Sequence, residues 1–191
     1  MFYVFPKALK PDVCDEIIKD CKSRPFDKGL IVESGKEDNN PNVRKTLVNF
    51  IKGKDNKVNE LVWRFIREAN RLMFDYNLEY FQPAQFAEYC DGGFYDWHQD
   101  SAREASSIRK LSLTLNLSDP NTFDGGGLQF FNGEKPMVDM GEIKGEQVEY
   151  DMKSQGTVIV FDSRDWHRVW PPITKGVRHS IVCWTVGPNY K

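Results

Sequence analysis

The stretch Leu111-Ser112-Leu113-Thr114-Leu115-Asn116-Leu117 decides the fold, because leucine and a polar residue alternate through it without a break. Successive side chains of a strand point to opposite faces, so this segment reads as a strand with one apolar and one polar face. Around it, from Pro83 onward, strand-like runs at 84–90, 109–117, 127–131, 146–151, 156–161 and 178–186 are separated by clusters of Gly, Pro, Asn and Asp. That rhythm predicts an antiparallel sandwich or barrel, not alternating β and α units. In a small barrel, one face of the 111–117 strand must look inward.

Upstream the character is different. Residues 2–5 read as a first strand. A helix is expected from Lys10, capped by Asp12, with Cys14, Ile17, Ile18 and Cys21 on one face and Arg24-Pro25 ending it. The polar, breaker-rich segment 33–42 reads as a surface loop, and 46–51 as a strand. A second helix carries the apolar stripe Val58, Leu61, Val62, Phe65, Ala69, Leu72, Met73 and Tyr76, which predicts a core face laid against a sheet. The expectation is one α+β domain over 1–191, with helical support and outer strands in 1–82 and a barrel core in 83–188.

Composition narrows the classes of partner. Hydrophobic content of 40% and charged content of 28% suit a globular chain, and a net charge of −2 supplies no field for nucleic acid or an anionic membrane. No apolar run reaches membrane-spanning length, and Met1 to Pro6 is too short for a signal peptide. The four cysteines form no C-x-x-C pair and read as reduced thiols, which points to the cytoplasm.

Only three histidines are present: His98, His167 and His179. His98-Gln99-Asp100 is H-x-D, and in an extended segment its imidazole and carboxylate share a face. A second histidine from a distant strand would complete two nitrogens and one carboxylate, the ligand set of non-haem iron(II) oxygenases. His167 suits that place, following the apolar run Thr157 to Phe161 and an Asp-Ser-Arg-Asp-Trp turn. On the next strand Arg178 and Ser180 share a face while His179 points the other way. An inward arginine is costly unless it meets an anion, and its planar fork matches a carboxylate. His179 is therefore expected to be packed or exposed, not metal-bound.

These motifs, in order, resemble the prolyl 4-hydroxylase-like branch of the 2-oxoglutarate/iron(II) dioxygenases. The resemblance runs through Tyr89-Cys90-Asp91-Gly92-Gly93-Phe94-Tyr95-Asp96-Trp97-His98-Gln99-Asp100, Arg109 to Ser118, and Gly125-Gly126-Gly127-Leu128-Gln129-Phe130. It resumes at Gly156 to Phe161, His167-Arg168-Val169, and Gly176 to Trp184. It implies a double-stranded β-helix (jelly roll) braced by helices, with His98, Asp100 and His167 as ligands of Fe(II). It further implies that Arg178, helped by Tyr89 and Ser180, pairs with the distal carboxylate of 2-oxoglutarate, with Thr114 and Asn116 nearby. Tyr95 and Trp184 are implied to face substrate, and ascorbate to serve as reductant.

The activity expected from the resemblance is hydroxylation of a C–H bond with O2, releasing succinate and CO2. A prolyl residue of a peptide or protein is the preferred substrate; another amino-acid side chain or a free amino acid is the alternative. Collagen-type members carry lysine where Arg178 stands, which bears on substrate and not on cofactor. The nucleic-acid demethylase branch carries a second arginine where this chain has Trp184. Two other classes fit the sequence less well: a catalytically silent binding module, opposed by the intact ligand positions, and a zinc hydrolase, which leaves Arg178 and Ser180 without an anion. Segments 33–42 and 132–147 are candidate lids.

Overall fold

The computed structural model describes residues 1–29, 31–33, 36–38, 40–53, 56–101, 108–131, 136–139, 143–144, 149–150 and 152–189. Strand β1 (Phe2–Phe5) leads to α1 (Pro11–Lys22), β2 (Asp27–Lys28) and a hairpin of β3 (Ile31–Glu33) with β4 (Lys36–Asp38). Next come β5 (Arg44–Lys45), β6 (Leu47–Phe50) and α2 (Lys57–Ala69), which widens into a π-helical stretch, Asn70–Phe74. The strands that follow are β7 (Tyr80–Phe81), β8 (Gln85–Tyr89), β9 (Phe94–His98), β10 (Arg109–Asn116) and β11 (Gly127–Phe131). Then come β12 (Pro136–Asp139), β13 (Ile143–Lys144), β14 (Glu149–Tyr150), β15 (Val158–Asp162), β16 (His167–Trp170) and β17 (Arg178–Val186).

The larger sheet orders its strands β1-β15-β10-β17-β8-β6-β2, with β7 also on β17, and the smaller one β12-β11-β16-β9-β5. Their ladders are antiparallel, and neighbours are mostly non-consecutive in sequence, as in a jelly-roll core. The sheets meet through Leu128 and Phe130 of the smaller and Ile159 and Phe161 of the larger.

The alternation in β10 is resolved in favour of a polar interior. Leu111, Leu113 and Leu115 pack with Cys14, Ile17, Val62 and Ile66 of the helices, all buried. Ser112 and Thr114 are buried too, on the opposite side, facing the smaller sheet. Both helices therefore cover one face of the larger sheet, and the site lies on the other.

Local chemistry explains where the helices depart from expectation. At the start of α1, Pro11 takes the first helical position, where its missing N–H costs nothing, and Lys10 is the N-cap without a side-chain bond. Asp12 is thus not the cap; it lies in the first turn, where its charge favours the positive end of the helix dipole. In α2 the Asn56 side chain caps the Val58 N–H at 2.9 Å. Its buried face is Asn59, Val62, Ile66 and Ala69. Leu72 and Met73, expected in the core, are 46% and 37% exposed. The reason is the bond from Asp75 N–H to Asn70 C=O at 2.8 Å, which spans five residues and rotates this stretch off the buried face.

Two of the expected loops fall only in part on described residues. Within 33–42, the described Lys36–Asp38 is a strand of the β3–β4 hairpin, while 34, 35 and 39 lie outside the described residues. Of the expected loop 132–147, residues 132–135, 140–142 and 145–147 lie outside them, as do 146–148 and 151 of the expected 146–151 strand.

Candidate active site

Strands β9 and β16 pair with His98 directly opposite His167, so both imidazoles leave the same face of the smaller sheet, ring centroids 4.1 Å apart. Asp100 lies past the end of β9, where the chain bends, so H-x-D is not extended throughout. Its carboxylate still reaches both rings: Oδ1 is 3.8 Å from His98 Nε2, and Oδ2 is 3.5 Å from His167 Nε2. One ligand atom from each of the three residues lies within 4.8 Å of the others.

Backbone carbonyls orient the rings. His98 Nδ1 is 2.8 Å from the Asp96 carbonyl, and His167 Nδ1 is 2.9 Å from that of Asp165. A carbonyl only accepts, so each Nδ1 donates a proton to it, and each Nε2 is the ring nitrogen left facing Asp100. Burial, and then the neighbouring His167, push His98 down to about 3. Burial pushes the Asp100 carboxyl up, but His167, His98, Arg109 and the Ser112 hydroxyl together outweigh it and bring it to about 2. The set is thus two imidazoles, that of His98 held neutral, and one ionised carboxylate, with their ligand atoms gathered within 4.8 Å of one another. That donor set fits a divalent metal of the non-haem iron type.

Two β-bulges bring further side chains to the same side. In β9 the register jumps from His98 opposite His167 to Tyr95 opposite Val169, so Tyr95 and His98 both face inward, ring centroids 3.5 Å apart. In β10 it jumps between Arg109 and Ser112, which turns Arg109 off the leucine face. Arg109 lies 4.1 Å above the Trp184 ring, and its Nε donates to Gln82 Oε1 at 2.9 Å. Arg44, on β5, lies 4.5 Å above the Tyr95 ring and donates to Gln85 Oε1 at 2.9 Å.

Arg178 is the other pole of the site. It starts β17 opposite Tyr89 of β8, its guanidinium carbon 5.4 Å from the Tyr89 ring. One nitrogen donates to Ser180 Oγ at 3.3 Å and another reaches Asn116 Oδ1 at 3.5 Å. It is 5% exposed, and no carboxylate pairs with it among the described residues. Burial lowers its pKa, while Tyr89 works the other way. A cavity of about 220 Å³ opens onto it between Asn116, Gly126, Leu128 and Met152. Gly126 has φ +66°, and a Cβ there would come within 2.9 Å of Arg178 Cδ, so only glycine leaves the arginine its place.

The structure thus brings His98, Asp100, His167, Tyr95 and Trp184 to one end, and Arg178, Ser180, Tyr89 and Asn116 to the other. Thr114 is buried on the same face as Ser112, with no hydrogen bond to Arg178. His179 faces away: it contacts Glu88 Oε2 at 2.9 Å and Ser118 Oγ at 3.2 Å, and stacks on Phe86. Sequence reasoning did not select Ser112, whose hydroxyl donates to Asp100 Oδ2 at 2.7 Å. Its shared face with Thr114 and Asn116 was the available signal. For Arg109 there was none, since the bulge that turns it leaves no mark in the pattern.

Comparison with known proteins agrees with this geometry. A family model described as 2OG-Fe(II) oxygenase superfamily matches residues 84–186. A PKHD-type hydroxylase of Acidovorax ebreus is 31% identical over 109 residues, covering 53% of this chain and 42% of the relative. One from a Synechococcus species is 33% identical over 93 residues, covering 48% of this chain and 36% of the relative. The matched stretch spans less than half the length of these relatives. Among solved structures, a Pseudomonas putida prolyl-4-hydroxylase superposes with a TM-score of 0.70 at 21% identity, over 98% of this chain and 93% of the other. A prolyl hydroxylase from Trichoplax adhaerens, in complex with a hypoxia inducible factor oxygen degradation domain peptide fragment, gives 0.73 at 18%, over 97% and 83%. At such identities the likeness is one of fold.

Proposed function

The chain belongs to the 2OG-Fe(II) oxygenase superfamily, and we propose that it hydroxylates a prolyl residue of a peptide or protein, using 2-oxoglutarate and O2. The observation that carries this reading is the pairing of a three-donor cluster with a buried arginine that no carboxylate neutralises among the described residues. A buried cation without a counter-ion is expensive, and a dicarboxylic acid anchored at the cluster would remove that cost.

When bound, Fe(II) with 2-oxoglutarate and O2 supplies the oxidising chemistry, yielding succinate, CO2 and a hydroxylated carbon. His98 Nε2, His167 Nε2 and Asp100 hold the metal. Arg178 takes the distal carboxylate of 2-oxoglutarate, with Ser180, Tyr89 and Asn116 setting the guanidinium and Thr114 nearby on the same strand face as Asn116. Tyr95 and Trp184 border the place for substrate. Burial raises the Tyr95 phenol to about 12, so it stays protonated. The buried Trp184 Nε1–H has no acceptor among the described residues. Residues 83–188 form the catalytic unit, with 1–82 and its helices as support of a single domain. The cytoplasm is the proposed location, and among the described residues no helix is long and apolar enough to cross a membrane.

Proline as the target is supported by two fold neighbours that are prolyl hydroxylases, one of them holding a peptide. The test is succinate formation from 2-oxoglutarate with Fe(II) and ascorbate, against proline-containing peptides. Hydroxyproline in step with succinate is expected. Succinate coupled instead to another side chain or a free amino acid would keep the chemistry and reject proline. No metal-dependent turnover in a protein that binds metal would favour a silent binding module.

A further inference from the structure

Two fully buried serines stand behind Asp100 and are not among the ligands. Ser112 Oγ is 2.7 Å from Asp100 Oδ2 and 2.9 Å from Ser163 Oγ, and both serines have no exposed surface. A hydroxyl has one proton to give. The Ser112 hydroxyl donates to Asp100 Oδ2, so its one proton is taken. The contact between the serines must then be donated by Ser163, which makes a directed chain from Ser163 to Ser112 to Asp100 Oδ2.

The backbone fixes both ends of this chain. Ser112 lies in the middle of β10, paired to Trp184 of β17 on one side and Phe161 of β15 on the other. Ser163 directly follows β15; its N–H donates to the Lys110 carbonyl at 3.0 Å, and its carbonyl accepts from Ser101 N–H at 2.9 Å. Ser101 adjoins Asp100, so one short segment restrains both the backbone and the side chain of the ligand. The two oxygens of Asp100 are not equivalent as a result. Both oxygens face a ring nitrogen, Oδ2 at 3.5 Å from His167 Nε2 and Oδ1 at 3.8 Å from His98 Nε2, but Oδ2 is also held by a hydroxyl, whereas Oδ1 accepts no hydrogen bond among the described residues.

Resting on the metal-centre reading above, we propose that Ser112, backed by Ser163, is a positioning residue that commits Asp100 to the metal through Oδ1 alone. A carboxylate free to rotate could present both oxygens and occupy two positions on the ion. The hydroxyl chain ties one of them back and leaves those positions to co-substrate and oxygen. Groups that orient a ligand in this way change metal affinity by about ten- to a hundredfold when removed.

The test uses Co(II) as a redox-stable probe and reads binding, not turnover. The metal-free chain is titrated with Co(II) by calorimetry, and its visible spectrum is recorded, for the parent, Ser112→Ala, Ser112→Thr and Ser163→Ala. Ser112→Ala is expected to weaken binding about tenfold and to alter the Co(II) spectrum, as the coordination changes. Ser112→Thr, which keeps the hydroxyl, restores both. Ser163→Ala leaves the first donor in place and is expected to weaken binding about threefold, a smaller loss in the same direction. A Ser112→Ala protein with parental affinity and spectrum overturns the proposal. Should Ser112→Ala not fold, Ser163→Ala decides: parental affinity and spectrum there overturn it. A parent chain that binds no Co(II) overturns the metal-centre reading itself, which separates the two failures.

Discussion

His167 and His179 put the same side chain to opposite uses. On β16, His167 has its Nδ1 tied to a backbone carbonyl and its Nε2 turned to Asp100. On β17, His179 is engaged on both nitrogens by Ser118 and Glu88, with no lone pair left to offer a metal. His167→Ala is therefore expected to abolish metal-dependent succinate formation, while His179→Ala keeps it within a few-fold. Equal losses in two folded variants would contradict the ligand assignment. At Arg178, replacement by Gln removes the charge and the fork, and the KM for 2-oxoglutarate should rise by tenfold or more, with peptide KM little changed. A rise in peptide KM alone would place the arginine against substrate. These residues were legible in the sequence because short motifs fix their strand faces. Ser112 was only half legible, since alternation shows a face but not what the face meets.

Among the elements, β10 carries both the core and the site. Its leucines fill the layer beneath the helices, and its polar face supports Asp100 and Arg178. Truncating the fully buried Leu113 to Ala should cost about 3 kcal/mol of unfolding free energy, read from denaturant midpoints, through lost transfer energy and the cavity left behind. A loss below about 1 kcal/mol would mean that the helix–sheet layer is not packed as described. The strand itself could be read from its alternation, as could β17 from its apolar run. The bulges in β9 and β10 could not: a bulge inserts one residue without changing composition, yet it decides that Tyr95 and Arg109 join the site. The π-helical widening after Ala69 is of the same kind. Periodicity carried the apolar stripe through Leu72 and Met73, and one five-residue hydrogen bond turned them to solvent.

At the scale of the whole molecule, the fold places titratable groups where acid will act on it. Burial depresses the pKa of His179, with the Glu88 carboxylate pulling the other way and Lys22 and Arg178 adding to the depression. The unfolded chain, with histidine near 6.5, therefore binds this proton first. The stability tied to neutral His179 is full above about pH 6.5 and is lost as pH falls below it toward the folded value. Thermal midpoints compared between about pH 7.5 and 5.5 should fall further for the parent than for His179→Gln; equal falls would remove His179 from the acid response.

The proposed function needs two parts of the fold to act together, the donor cluster of His98, Asp100 and His167, and the guanidinium of Arg178. Fe(II) gains a visible absorption when a 2-oxo acid chelates it, so 2-oxoglutarate titrated without oxygen into the Fe(II)-loaded chain reads both parts at once. The account predicts a saturable colour in the parent, its absence in His167→Ala, and a midpoint shifted to at least tenfold higher 2-oxoglutarate in Arg178→Gln. A colourless parent, or an Arg178→Gln titration that overlays it, would contradict the account.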